Sequence, residues 1–218
     1  MQDRCPICGE WKKSRIYGHD DGLLQAGNQA RPMNPTIIDA WDTVLLPPAP
    51  KLQTVLINPE NSALLILDMQ ATLCKTPRCL ATAAKIKQLL IKARQSGMLV
   101  VYSLTKTGTI AEIMPDIFPS PDDPIVSSSV DKFYKTKLDR ILWNNGIQTV
   151  LVTGFAANGA VLHTATAAAF RGYQVIVPLD GMSANTLYAE QYTAWHMLNS
   201  PGTRNRAILT KTSMIRLR

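Results

Sequence analysis

An α/β fold, a parallel sheet carrying helices on both faces, is what the sequence predicts from Ser62 onward. Short apolar runs alternate with stretches of helical periodicity along this part of the chain. The runs lack apolar/polar alternation, the pattern of strands buried on both faces. The strand–helix alternation recurs at the spacing of parallel crossover units.

Each element has its own signal. Ala63-Leu64-Leu65-Ile66-Leu67 reads as the first strand, closed by Asp68. A helix is predicted over 80–95, with Ile86, Leu89, Leu90 and Ala93 on one face and Gly97 as its C-terminal stop. Met98 to Tyr102 is the second strand, and Ile125-Val126 begins a third. A helix over 136–144 ends at Gly146, and Thr149 to Thr153 is the fourth strand. A helix follows over about 159–171, then a strand over Gln174 to Pro178. A helix over 189–198 and a strand over Arg206 to Leu209 complete the pattern.

The first 60 residues are different. Breakers crowd them, as in Gly18-His19-Asp20-Asp21-Gly22 and Pro47-Pro48-Ala49-Pro50, and periodicity is weak. They read as an N-terminal arm (1–60) with a short helix near Ile37 to Trp41, preceding a domain over 61–218. The arm holds Trp11, Ile16, Tyr17, Leu23, Leu24, Ile37, Ile38 and Trp41. Such apolar groups need a layer to lie on, either the core of the chain or a neighbouring subunit, so a homo-oligomer is expected.

The 218 residues are 46% hydrophobic, which excludes a wholly disordered chain. No apolar stretch reaches the roughly 18 residues of a membrane span, and the first residues lack the apolar run of a secretory signal. The expectation is a soluble, cytoplasmic protein without a membrane partner. The net charge is +7 with a pI near 9.3. The basic residues are scattered, so an anionic small molecule, or no charge-driven role at all, is expected rather than nucleic-acid binding.

Four cysteines form two sequence pairs, Cys5/Cys8 and Cys74/Cys79. Cys5-Pro-Ile-Cys8-Gly9 has the turn of half a zinc ribbon, whose second half Cys74-x4-Cys79 does not match in spacing. Reduced thiols, a structural zinc at Cys5 and Cys8, and disulfides all remain open. No other cofactor is expected.

In open parallel sheets, ligands bind beyond the carboxyl ends of the strands. That rule selects Asp68, the segments 103–106, 127–132 and 154–160, and Asp180.

These residues resemble a known family. Ala63-Leu64-Leu65-Ile66-Leu67-Asp68-Met69-Gln70 is similar to the opening of the isochorismatase-like hydrolases. So are Val152-Thr153-Gly154-Phe155-Ala156-Ala157-Asn158, Thr164-Ala165, Phe170 to Val175 and Asp180-Gly181. The likeness runs from about 62 to 210. It implies a Rossmann-like three-layer sandwich around a six-stranded parallel sheet. In the amidohydrolase branch it also implies an Asp-Lys-Cys triad, in which Cys attacks an amide or nitrile and Asp takes its proton.

Asp68 matches the acid. The cysteine position is Ala160, which has no nucleophile. The lysine position, six residues before Phe133, is Ser127, while a lysine stands five places later at Lys132. Spacing leaves open whether Lys132 reaches the same cavity. The two departures together point to a divergent branch rather than a single trapping substitution. The catalytic candidates are thus Asp68 and Lys132, with Ala160 at the cysteine position. Ser127, Asn158, Gly159, Phe155 and Tyr102 are candidate substrate-binding residues, and no metal ligands are assigned. The metal-binding cluster of nicotinamidase-type relatives has no match after Tyr102. His163 reads as packed in the core or at a subunit interface, with the crevice as the alternative, His196 as a packed helix residue, and Asp180 as a support for its loop.

The resemblance implies a small-molecule hydrolase acting on a C–N or vinyl-ether bond. With no thiol, Asp68 would be its acid/base, as in true isochorismatases, which also lack the cysteine. The alternatives are a catalytically silent relative that binds a ligand or serves assembly, and an amidohydrolase that lost its nucleophile.

Overall fold

The structure is a computed structural model that describes residues 36–218. Cys5, Cys8, Trp11, Ile16, Tyr17, Leu23 and Leu24 lie outside the described residues, and with them the zinc expectation. The chain divides into a unit ending at Leu46 and a second one over Pro47–Arg218. In the first, the short helix expected near Ile37 to Trp41 is a turn followed by one 3-10 turn over Trp41–Thr43. Thr36 caps this turn by donating to Asp39 from both its backbone N–H and its hydroxyl. Ile37, Ile38 and Trp41 are exposed.

The second unit contains nine strands and four α-helices among the described residues. The strands are β1 (Val55–Ile57), β2 (Ser62–Leu67), β3 (Leu99–Leu104), β4 (Ile125–Ser127), β5 (Thr149–Phe155), β6 (Gln174–Pro178), β7 (Met182–Ser183), β8 (Ala207–Thr210) and β9 (Ile215–Leu217). The helices are α1 (Pro77–Gln95), α2 (Leu138–Asn144), α3 (Leu162–Phe170) and α4 (Leu187–Asn199). The main sheet runs in the order β4-β3-β2-β5-β6-β8, with the two-residue β7 added beside the end of β5. Every pairing in it is parallel. The six expected strands are the six of this path, and the seventh, β7, is too short to leave a sequence pattern. β1 and β9 form a separate parallel pair, so the segment 55–57 in the predicted arm is tied to the C-terminus.

The sheet separates two apolar layers. On one face α1 packs Cys79, Ala83, Ile86, Leu89 and Leu90 against Leu64, Ile66, Val100 and Tyr102. On the other, α2, α3 and α4 pack Leu142, Ala165, Ala168 and Met197 against Leu65, Leu67, Val101 and Val152. Each strand alternates its side chains between these layers, so every position of β2 is buried. α1 begins earlier than predicted, because Thr76 accepts from the Cys79 N–H and Pro77 occupies the first turn.

Cys74 and Cys79, both buried, are joined as a disulfide that closes the turn entering α1. This selects the disulfide reading for this pair. Cross-linking so short a loop restrains the unfolded chain by about 2 kcal/mol. Replacing both cysteines by alanine is expected to lower stability by that amount in urea unfolding; an unchanged midpoint and slope would show that the cross-link contributes nothing.

Candidate functional site

In strand order β4-β3-β2-β5-β6-β8, the chain leaves β2 toward one edge and returns at β5 toward the other. The carboxyl ends of β2 and β5 are therefore the switch point, the place at which open parallel sheets bind ligands. Asp68 follows β2 there, and Gly154-Phe155 end β5 there.

The backbone is pinched at this point. Gly154 has φ +127°, and a Cβ on it would lie 2.1 Å from the Leu67 carbonyl oxygen. Only glycine allows the two strands to come this close. The next residue along β2, Asp68, has φ +50°, a left-handed conformation that costs an L-residue about 1–2 kcal/mol. Strain of this kind is concentrated at functional sites. It is held by Ser103, opposite the end of β2. The Asp68 N–H donates to the Ser103 carbonyl (3.1 Å) and hydroxyl (3.2 Å). The Ser103 hydroxyl donates in turn to Asp68 Oδ1 at 2.7 Å.

The other carboxylate oxygen, Oδ2, lies 2.7 Å from Lys132 Nζ. Both residues are buried, Lys132 completely. The ammonium also donates to the carbonyls of Leu104 (3.2 Å), Ser128 (3.1 Å) and Ser129 (2.5 Å). Four acceptors surround an amine with three N–H groups, so none is left for another partner. Burial pushes the Asp68 carboxyl above its ordinary value, against the pull of Lys132 and Ser103. Burial likewise pushes the Lys132 amine down, against the attraction of Asp68.

Lys132 reaches Asp68 because its loop reverses. The Ser128 hydroxyl donates to the Tyr134 carbonyl, the Phe133 N–H to Asp131, and the Thr136 hydroxyl to the Lys132 carbonyl. Phe133 is pinned against Tyr173 and beneath the Arg171 guanidinium. The Lys132 N–H donates to the Thr164 hydroxyl, joining this loop to α3. Ala160 is buried one turn before Thr164, in the kinked segment Ala157–Val161 that leads into α3. Its methyl group offers neither nucleophile nor proton.

The remaining candidates scatter. Ser127, at the lysine position inferred from spacing, is exposed, and its hydroxyl donates to the Thr105 carbonyl. Spacing leaves open whether Lys132 reaches Asp68; in the structure it is Lys132, not the residue at position 127, whose side chain meets the Asp68 carboxylate. Tyr102 is not in the crevice. Ser103 faces Asp68, so its neighbour Tyr102 points into the opposite layer, where its buried hydroxyl has no partner. Phe155 packs in that same layer. Asn158 is exposed and Gly159 half-buried, with the site of a Gly159 Cβ 3.9 Å from Val130. His163 is exposed rather than packed in the core, and His196 is half-buried beside Thr166 and Tyr192. Asp180 accepts from the Thr212 N–H and hydroxyl, supporting the loop after β6.

Ser103 lies in the segment 103–106 that the strand-end rule selects, but it is not among the catalytic or substrate-binding candidates; it stands inside β3, which runs two residues beyond its apolar stretch. No group of three or more His, Cys, Asp or Glu side chains placed to hold a metal occurs among the described residues. No helix among them is long and apolar enough to cross a membrane.

The chain is similar to solved structures over most of their length. N-carbamoylsarcosine amidase from Thermoplasma acidophilum matches with TM-score 0.61 and 26% identity, over 70% of this chain and 96% of the amidase. An isochorismatase family protein from Burkholderia thailandensis matches with TM-score 0.64 and 22% identity, over 76% and 97%. The nicotinamidase of Staphylococcus aureus matches with TM-score 0.60 and 21% identity, over 70% and 99%. No curated protein matches the chain. The family model described as "Isochorismatase domain" covers residues 62–211, from the first strand of the main sheet to the residue after its last, and the chain belongs to the isochorismatase family.

Proposed function

We propose that the protein hydrolyses a small molecule without a covalent enzyme intermediate, with Asp68 as acid/base. The buried Asp68–Lys132 pair carries this reading, together with alanine in place of a nucleophile at position 160. Burial raises the Asp68 carboxyl's hold on a proton, against the pull of Lys132 and Ser103, which suits it to proton transfer. Lys132 has no free N–H for substrate, so its role is to position Asp68 and balance its charge. The protonated carboxyl of Asp68 delivers a proton to the substrate, as to the carbon of a vinyl ether. A water molecule adds to the resulting cation and returns its proton to the carboxylate, and the hemiketal or hemiacetal so formed collapses: its C–O bond breaks, the hydroxyl proton passes to the departing alkoxide oxygen, and an alcohol and a carbonyl compound leave. One water is consumed and the enzyme is regenerated.

The match to an amidase and a nicotinamidase makes C–N substrates the second class to examine, reached here by direct water attack. The same saturation of Lys132 favours a second reading, a silent relative whose buried pair only supports the fold.

Turnover of N-carbamoylsarcosine, nicotinamide and a carboxylated vinyl ether decides between these readings. Asp68→Asn is expected to cut the rate on the accepted substrate by about 10²–10⁴-fold. Iodoacetamide is expected to leave it unchanged. Since Asp68 must carry its proton, activity is expected to fall as pH rises through its elevated value. A rate insensitive to Asp68→Asn rejects the mechanism, and the absence of turnover on all three classes supports silence.

A further inference from the structure

Ser103 meets Asp68 at three points. Its carbonyl and its hydroxyl oxygen both accept from the Asp68 N–H, at 3.1 and 3.2 Å, and its hydroxyl donates to Asp68 Oδ1 at 2.7 Å. The register of β3 against β2 sets this, with Ser103 opposite Leu67, the residue before Asp68. Ser103 is buried, so it acts on a substrate only through Asp68.

The two carboxylate oxygens have different donors. Oδ2 faces the Lys132 ammonium at 2.7 Å, and Lys132 is the one charged side chain in ion-pair contact with Asp68 among the described residues. An ammonium has three donors and no lone pair, so it cannot accept from a protonated Oδ2, and a charge-assisted bond would be lost there. Oδ1 faces a neutral hydroxyl, which carries two lone pairs and can turn from donor to acceptor. Adding the proton at Oδ1 therefore gives up the weaker bond and lets Ser103 accept from the new O–H.

We propose that Ser103 is a positioning residue for the Asp68 acid: its hydroxyl makes Oδ1 the oxygen that carries the proton and holds the carboxyl in one orientation. The inference rests on the acid/base reading of Asp68. The hydroxyl is separable from the strand end, because without it the Asp68 N–H keeps the Ser103 carbonyl as acceptor. It bonds the ionised carboxylate more strongly than the protonated one, and so holds the Asp68 titration down against burial. Lys132 acts in the same direction, and Asp131 acts on Lys132 in turn. Removing the hydroxyl moves the Asp68 titration upward. The pH at which activity falls rises with it, since the protonated carboxyl is the active form.

The test is a carbon-13 carboxyl NMR titration of the full chain, with the Asp68 resonance assigned by its absence in Asp68→Asn, alongside pH–rate profiles on the accepted substrate. Ser103→Ala removes the hydroxyl, and Ser103→Cys fills the same space with a weak donor and acceptor. In both, Asp68 is expected to titrate at higher pH than in the wild type. The alkaline limb of the rate profile should move up with it. kcat should fall by about 10²-fold with KM nearly unchanged, as for a reacting group misplaced by about 1 Å. A lowered melting temperature with the Asp68 titration unmoved would make the role structural and overturn the proposal. Wild-type behaviour in Ser103→Cys would overturn it too, since volume and not the hydroxyl would then matter. An upward titration by NMR in a chain that turns over no substrate would uphold the assignment of Ser103 and reject the hydrolase reading instead.

Discussion

Lys132→Met is expected to lower the unfolding free energy by about 3–5 kcal/mol. The change removes the partner of a carboxylate that is itself nearly sealed from water. It also leaves the carbonyls of Leu104, Ser128 and Ser129 without the donor that the ammonium supplies. Breaking a buried pair from one side strands an uncompensated charge, and this costs about 3–5 kcal/mol. For a chain of this size the melting temperature should drop by roughly 6–20 °C, from about 2–4 °C per kcal/mol. Asp68→Leu combined with Lys132→Met should recover most of the loss, since replacing both partners by apolar groups removes the stranded charge. Urea unfolding of the single and double variants measures both. A loss under about 1 kcal/mol for Lys132→Met would mean that no charge is stranded, because water reaches the pair or Asp68 takes up a proton.

Gly154→Ala should be comparably damaging, for a different reason. The added methyl would sit 2.1 Å from the Leu67 carbonyl oxygen, and the backbone already has φ +127°. Backbone cannot rotate aside as a side chain can, so β5 would have to move away from β2 at the switch point. A loss beyond about 4 kcal/mol is expected, within the class of severe backbone and overpacking lesions. Gly97→Ala provides the control. Its φ is also positive, at +69°, but nothing lies within 4 Å of the new Cβ. Only the conformational term of about 1 kcal/mol remains there. Equal losses in the two variants would show that the close approach of β2 and β5 is not what requires glycine at 154. Because the pinch sets the direction in which Asp68 leaves β2, any folded Gly154→Ala protein should also lose activity.

Periodicity and composition were enough to read the parallel sheet, its six main strands and the helices on both faces. Unbroken apolar runs such as Ala63 to Leu67 arise only where both faces of a strand are covered. Asp68 was legible for a related reason: an acid directly after such a run stands at the carboxyl edge of the sheet. The missing thiol was equally plain, since Ala160 falls in the likeness that also supplies Gly154 and Thr164. Pairings across the chain were not legible. Lys132 and Ser127 are five residues apart, and only the reversal of the loop from Ser128 to Tyr134 sends the first inward and leaves the second in solvent. Tyr102 and Ser103 are adjacent, and one belongs to the crevice while the other belongs to the opposite layer. That choice depends on the register of β3 against β2, where Leu67 stands opposite Ser103. β1, β7 and β9, two or three residues each, are defined by hydrogen bonds to distant strands rather than by any local pattern. Local sequence carries periodicity and conformational preference, whereas a site is made of contacts between residues 32 to 64 positions apart, as in Thr164 with Lys132 and Asp68 with Lys132, and these exist only once the sheet has brought its carboxyl ends together.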